Sequence, residues 1–183
     1  MSRIPTPNSI EDAPAASQPL LEGVKKQMGM VPNLFRVIAN SPAALQAYLG
    51  AAGALTKGAL PPATRERIAL AMAELNGCQY CLSAHTMFAK SRAKLDDAEI
   101  TANRSGGSND PHAEAAVRFA VQVAQARGHV SEADIRAVKD AGYDDAQIVE
   151  IIVHVAMNTL TNYVNEALKT DIDFPLVSLR QAA

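Results

Sequence analysis

The sequence predicts an all-α fold, a single domain of about eight or nine helices, and three observations carry that prediction. Apolar residues make up 48% of the 183 residues while aromatics make up 4% and Trp is absent. A core built mainly from Ala, Leu, Ile, Val and Met suits packed helices better than a β-sandwich. Apolar positions recur at helical spacing in segment after segment, and no stretch keeps the period-two alternation of a strand.

Residues 1–16, with Pro5, Pro7 and Pro14 among Ser, Asn and Ala, have little apolar surface to bury and read as an irregular arm. Residues 17–183 read as one domain. Leu20, Leu21, Val24 and Met28 define a helix from Gln18 that stops near Gly29, and Val31-Pro32-Asn33 opens a short one carrying Leu34, Phe35, Val37 and Ile38. Ser41-Pro42 is an N-cap and first-turn proline ahead of a helix to about Lys57. Pro61-Pro62 leads into Arg65–Leu75, Asn76-Gly77 ends that helix, and the next runs from Cys78 to about Ser91. A short helix is expected over 96–101, and Ser105–Asn109 is a loop. Asp110-Pro111 opens a helix to about Arg127, Ser131 opens one closed by Gly142, and the longest and most apolar runs from Asp144 to about Leu168.

Seventeen basic and nineteen acidic residues give a net charge of −2 with no long block of either sign, which argues against a nucleic-acid partner. The first residues lack the apolar core of a secretory signal, and no stretch offers eighteen uninterrupted apolar residues, so a soluble cytoplasmic protein without a membrane partner is expected.

The only two cysteines, Cys78 and Cys81, lie three positions apart. So small a loop is a poor structural staple, and redox chemistry or metal binding becomes the default reading. Cys81 and His85 are four apart and share a helix face, as do Cys78 and Cys81. If the flanking helices fold back as an antiparallel hairpin about Asn76-Gly77, Glu66 faces the level of residue 87 and can hold the His85 imidazole. The redox motif thus spans 64–91. The helix N-terminus favours an anionic Cys78, whereas His85 favours an anionic Cys81. A cationic partner moves a thiol further than an exposed helix dipole does, so the balance leans towards attack by Cys81 with Cys78 resolving. Glu74 and Tyr80 are possible supporting residues.

Two cysteines and a histidine offer three zinc ligands, but His112, His129 and His154 bring no companion motif, and no metal is expected. Without a glycine-rich phosphate loop no cofactor is expected either. His154, in an apolar run, reads as a satisfied core histidine, and Asn158 and Asn162 as buried hydrogen-bonding residues or, alternatively, as residues lining the pocket.

Arg65-Glu66, Glu74-Leu75-Asn76-Gly77-Cys78-Gln79-Tyr80-Cys81 and His85 resemble the signature of the alkylhydroperoxidase D (AhpD)-like branch of the carboxymuconolactone decarboxylase family. Met30–Arg36, Ser41-Pro42 and Asn158–Tyr163 resemble its peroxidase-related members, so the likeness covers most of the chain beyond the arm. The resemblance implies a helical homo-oligomer, trimer or hexamer, that reduces organic hydroperoxides or disulfides without metal or flavin. It also implies an external dithiol reductant, lipoyl-type or thioredoxin-like, and a proton-relay site matching Glu66, Cys78, Cys81 and His85, in which the later cysteine attacks. One departure is Tyr80, where the best-studied members carry histidine; a phenol titrating near ~10 is a poor proton carrier at neutral pH. Alternatives are a redox-sensing or binding module of the same fold, and a decarboxylase, whose family members lack the cysteine pair.

Overall fold

Capping chemistry sets most of the helix starts. Ser41, Asp96, Asp110, Ser131 and Asp144 each accept a backbone N–H from the first turn that follows, and Ser131 with Asp134 and Asp144 with Gln147 form reciprocal capping boxes. The computed structural model describes residues 2–180, and these contain nine α-helices after a single 3-10 turn at Ala15–Ser17. They are α1 (Gln18–Met28), α2 (Asn33–Ile38), α3 (Pro42–Leu55), α4 (Pro62–Leu75), α5 (Gln79–Ser91), α6 (Asp97–Arg104), α7 (Pro111–Gln125), α8 (Glu132–Asp140) and α9 (Asp145–Leu168). No strand occurs among the described residues. Nor is any described helix long and apolar enough to cross a membrane.

Helix α4 is the centre, packing against α5, α6, α7 and α9. Ile68 through Ala73 are all buried, so its apolar residues encircle the axis instead of forming a stripe, as expected of a helix enclosed by others. One core cluster joins Ile68 and Met72 to α7, α8 and α9 through Phe119, Val138 and Ile151. The second joins Leu70 and Ala73 to α1, α2 and α5 through Leu21, Leu34 and Leu82.

Two segments outside the helices differ from what composition suggested. Residues 2–14 hold no helix, yet they are not spare chain: Ile10 and Ala13 are buried in the second cluster. The Arg36 guanidinium donates to the carbonyls of Pro7 and Asn8, and Asn40 Nδ2 to that of Pro5. The segment after α9 straps across α5, with Phe174 packed edge-on to both Tyr80 and Phe88. Its Asp173 caps α2 from a distance, accepting the Asn33 N–H at 2.9 Å. Helix α6 also runs past the expected 101, because Asn103 is tied by its side chain to Glu99 and to the Gly107 carbonyl.

Glu99, almost fully buried, accepts from Arg67 Nε at 2.6 Å, Ser108 Oγ, Asn103 Nδ2 and the Asn109 N–H. Burial opposes its charge, but these donors outweigh burial and hold its pKa at about 2 against an ordinary 4.5. A depressed carboxylate pKa stabilises the fold above the unfolded value and ceases to do so as pH falls through the folded one. Glu99→Gln should therefore lower unfolding stability at neutral pH by about 3 kcal/mol in urea melts, since it leaves Arg67 with only the longer contact to Asp110 at 3.7 Å. The variant should also lose the part of the wild-type acid dependence that lies between pH 4.5 and about 2.

Candidate functional site

The α4–α5 hairpin places the thiols. Gly77 takes φ +66°, a left-handed conformation that favours glycine, and the Cys78 N–H returns to the Ala73 carbonyl at 2.9 Å. Cys78 is thereby the N-cap of α5, so the helix begins at Gln79, one position after the expected start, and the Cys78 Sγ accepts the Cys81 N–H at 3.3 Å. The two free thiols face each other, Cys78 donating S–H to Cys81 Sγ at 2.7 Å. Both are buried, at 0% and 4% exposure.

That geometry divides the charge unequally. Cys81 is lowered to about 7, first by the S–H bond from Cys78 and then, against burial, by the nearby His85 and by the amides of Asn165 and Asn162. Cys78 moves upward because it keeps the proton it shares with Cys81 and because it is buried. Asn165 Nδ2 lies 3.2 Å from Cys81 Sγ. Asn76, at the C-cap of α4, donates to Asn162 Oδ1 at 2.8 Å, which fixes the Asn162 amide with its Nδ2 otherwise unpartnered.

Antiparallel register brings Glu66 and His85 together: Oε2 accepts from Nδ1 at 2.9 Å, with the two side chains 22% and 26% exposed. Burial of the imidazole disfavours its cation, but the Glu66 carboxylate and its hydrogen bond, with Cys81 behind them, raise the His85 pKa. The bond also fixes the tautomer, leaving Nε2 to take and give protons. Glu66 and His85 border a cavity of about 340 Å³ between α3, α4, α5 and α9, which Tyr48, Arg65 and His154 also line. Tyr48 is raised to about 12, by burial and by the negative charges of Cys81 and Glu66.

Glu74 and Tyr80 have other work. The Glu74 carboxylate accepts from Arg104 Nε at 2.7 Å and from the Arg180 N–H, which ties α4 to α6 and the C-terminal strap. The Tyr80 hydroxyl accepts from the Leu34 N–H and donates to Asp173, and burial raises its pKa. His154 is not the satisfied core histidine its surroundings suggested: it lines the cavity, and its buried Nε2 has no hydrogen-bond partner among the described residues. Its pKa is lowered by burial and by Arg65. His112 instead stacks on Tyr143, 4.2 Å between ring centroids. No group of three or more His, Cys, Asp or Glu side chains among the described residues is placed to hold a metal ion.

A helical fold with a dithiol at a helix entry and a carboxylate–imidazole pair one turn further on defines the class. The chain matches the carboxymuconolactone decarboxylase family model over residues 41–126. Its fold matches an uncharacterized peroxidase-related protein with an AhpD core from Ralstonia eutropha JMP134, with a TM-score of 0.84 and 26% identity over 94% of this chain and 92% of that one. It also matches an uncharacterized peroxidase-related protein from Silicibacter sp. TM1040, at 0.80 and 23% over 93% and 91%. A third match is the debrominase Bmp8, seen with 2,3,4-tribromopyrrole, at 0.75 and 21% over 94% of each chain. No curated protein matches. The family match over residues 41–126 and the likeness to the peroxidase-related structures together support assigning the chain to the AhpD-like proteins of the carboxymuconolactone decarboxylase family.

The amides on α9 were only partly foreseen. Asn158, Thr161, Asn162 and Asn165 recur at three- and four-residue spacing on the buried side of a mostly apolar helix, a signal that this stripe faces something polar. Tyr48 carries no such signal in the sequence. Asn165→Leu should move the midpoint of Cys81 thiolate formation up from about 7 by about one pH unit, read from thiolate ultraviolet absorbance. An unmoved titration would show that the amide contributes nothing to the charge on sulfur.

Proposed function

We propose that this protein is a thiol peroxidase that reduces organic hydroperoxides, with Cys81 as the attacking thiolate, Cys78 as the resolving thiol and Glu66–His85 as the proton relay. The observation that carries this reading is the Cys78-to-Cys81 S–H bond, which places the negative charge on the sulfur nearer His85. A thiolate available near neutral pH is what attack on an O–O bond requires. The names of the peroxidase-related neighbours point the same way.

In the proposed cycle the Cys81 thiolate attacks the terminal oxygen of ROOH. The O–O bond breaks, ROH departs with a proton from His85, and Cys81 becomes a sulfenic acid. Cys78, giving its proton to the relay, attacks Cys81 Sγ and expels water, forming the disulfide. An external dithiol, lipoyl-type or thioredoxin-like, then reduces the disulfide by exchange and is itself oxidised to a disulfide. The sum is ROOH plus dithiol giving ROH, water and disulfide. Residence in the cytoplasm, where such dithiols are kept reduced, belongs to this reading.

A homo-oligomer also belongs to it. Val149, Val153, Leu160 and Tyr163 on α9 are exposed, with Ala156 between them, at alternating spacings of four and three. That is the pattern of a helix seam, and a second copy of the chain is the proposed cover. Leu160→Asp should dissociate the assembly to monomers in light scattering; wild-type protein that is already monomeric would overturn this part.

With dihydrolipoamide as reductant, purified protein should consume an organic hydroperoxide, and Cys81→Ser should abolish turnover. His85→Gln should slow it about 100-fold. The rate of sulfenic acid formation should climb with pH through about 7 and then level off, because deprotonation creates the nucleophile. Mass spectrometry of Cys78→Ser after peroxide treatment should find the trapped sulfenic acid on Cys81. A wild-type protein that consumes no hydroperoxide but debrominates a bromopyrrole would replace the peroxidase reading with a reductive dehalogenase one.

A further inference from the structure

The cavity against the relay has a charged end with no counter-ion among the described residues. Arg65 is half-buried there, held by one hydrogen bond from Nη1 to the Leu55 carbonyl at 2.9 Å, and it forms no ion pair with any described residue. The carboxylates near it are already committed. Glu66 is bonded to His85, and Glu150 accepts the N–H groups of Ala59 and Leu60 at 2.8 and 2.9 Å. His154 stands on the same wall, close enough to feel the Arg65 charge, and its buried Nε2 lacks a partner among the described residues. A second cation, Arg92, sits at the rim with its guanidinium 4.4 Å from the Phe88 ring centroid. Between these groups the walls are apolar, with Leu55 and Met157.

An unpaired guanidinium presents a planar fork that matches a carboxylate, and a buried imidazole nitrogen without a partner is a second hydrogen-bonding group awaiting one. At about 340 Å³ the cavity lies at the small end of the ~300–1,000 Å³ usual for ligand sites, so its occupant is compact. We propose that this cavity is the substrate-binding site for a small carboxylate-bearing organic hydroperoxide, with Arg65 and His154 Nε2 holding the carboxylate and the apolar body lying on Leu55 and Met157. The assignment rests on the peroxidase reading. Arg65 and Glu66 are adjacent in α4, so one helix carries both the group that anchors the acid and the carboxylate that orients the relay. The hydroperoxide end is thereby directed towards His85, with Cys81 one helical turn behind it.

The test compares a hydroperoxide of a short aliphatic acid with its methyl ester, using dihydrolipoamide as reductant. Wild type should favour the acid about tenfold in kcat/KM, mainly through KM, as one charge-assisted bidentate contact allows. Arg65→Gln should bring the ratio close to one, Arg65→Lys should keep part of it, and His154→Phe should reduce it several-fold. Equal use of acid and ester by wild type, or an undiminished preference in Arg65→Gln, overturns the proposal. Calorimetry with the matching hydroxy acid, which cannot be reduced, separates this claim from the peroxidase reading. If wild type turns over neither hydroperoxide but binds the hydroxy acid about tenfold more tightly than Arg65→Gln does, the carboxylate site stands and the peroxidase reading falls. Hydroxy acid binding that is absent, or the same with and without the Arg65 charge, sinks the carboxylate site. Should Arg65→Gln fail to fold, the Arg65→Lys and His154→Phe ratios decide the matter on the same terms.

Discussion

Helix α4 is enclosed along its middle by α5, α6, α7 and α9, and this enclosure governs what its polar residues can do. Its three charged first-half residues, Arg65, Glu66 and Arg67, are successive, so each points about 100° around the axis from the last. They reach three different neighbours. Arg65 meets the end of α3 and the cavity, Glu66 meets His85 on α5, and Arg67 meets Glu99 on α6. Rotating α4 by one residue would send the Glu66 carboxylate away from the imidazole and bury an unpaired charge elsewhere. The buried Ile68, Leu70 and Met72 fix that rotation, so core packing and the geometry of the Glu66–His85 pair are one constraint.

The thiol pair depends on the same helix through its end. A buried thiolate is unfavourable in isolation, because burial favours the neutral form. Here two donors reach the sulfur, the Cys78 S–H from the N-cap position and the Asn165 amide from α9, while the His85 imidazole one turn along α5 favours the thiolate through its charge. The Asn76–Asn162 bond ties the hairpin turn to α9, which joins the element carrying Cys78 to the element carrying the amides. The charge on Cys81 is therefore a property of three helices held in register.

Helix order and most boundaries were legible in the sequence because caps and stops are local chemistry, with Ser41, Asp110, Ser131, Asp144 and Gly29 among them. The pairing of Glu66 with His85 was legible too, since a tight hairpin turns sequence distance from Asn76-Gly77 into register. What was not legible came from tertiary contacts between distant segments. Asp173 caps α2 across 140 residues, Ile10 enters the core from a segment that reads as loose, and the partners of Glu74 lie on α6 and the strap. His154 shows the same limit in another form. An apolar neighbourhood in sequence says that a histidine is near the core, but not whether its nitrogen meets a carbonyl or a cavity.

Tyr80 makes the clearest case of a position whose role follows from its partners. A hydroxyl just before the second cysteine could in principle serve the thiols, yet here it accepts from the α2 backbone at Leu34 and donates to Asp173 of the C-terminal strap. Its ring packs on Phe174 in the same strap. With both hydrogen-bonding directions of the phenol committed and its pKa raised by burial, it carries no protons between sulfur and solvent near neutral pH. The titratable group beside the thiols and the cavity is His85, whose Nδ1 is occupied by Glu66 and whose ring borders the cavity. Tyr80 instead holds α5 to α2 and to the strap from the residue next to Cys81. It thus fixes the backbone on which the Cys81 sulfur sits, with the His85 imidazole rather than the phenol bordering the cavity.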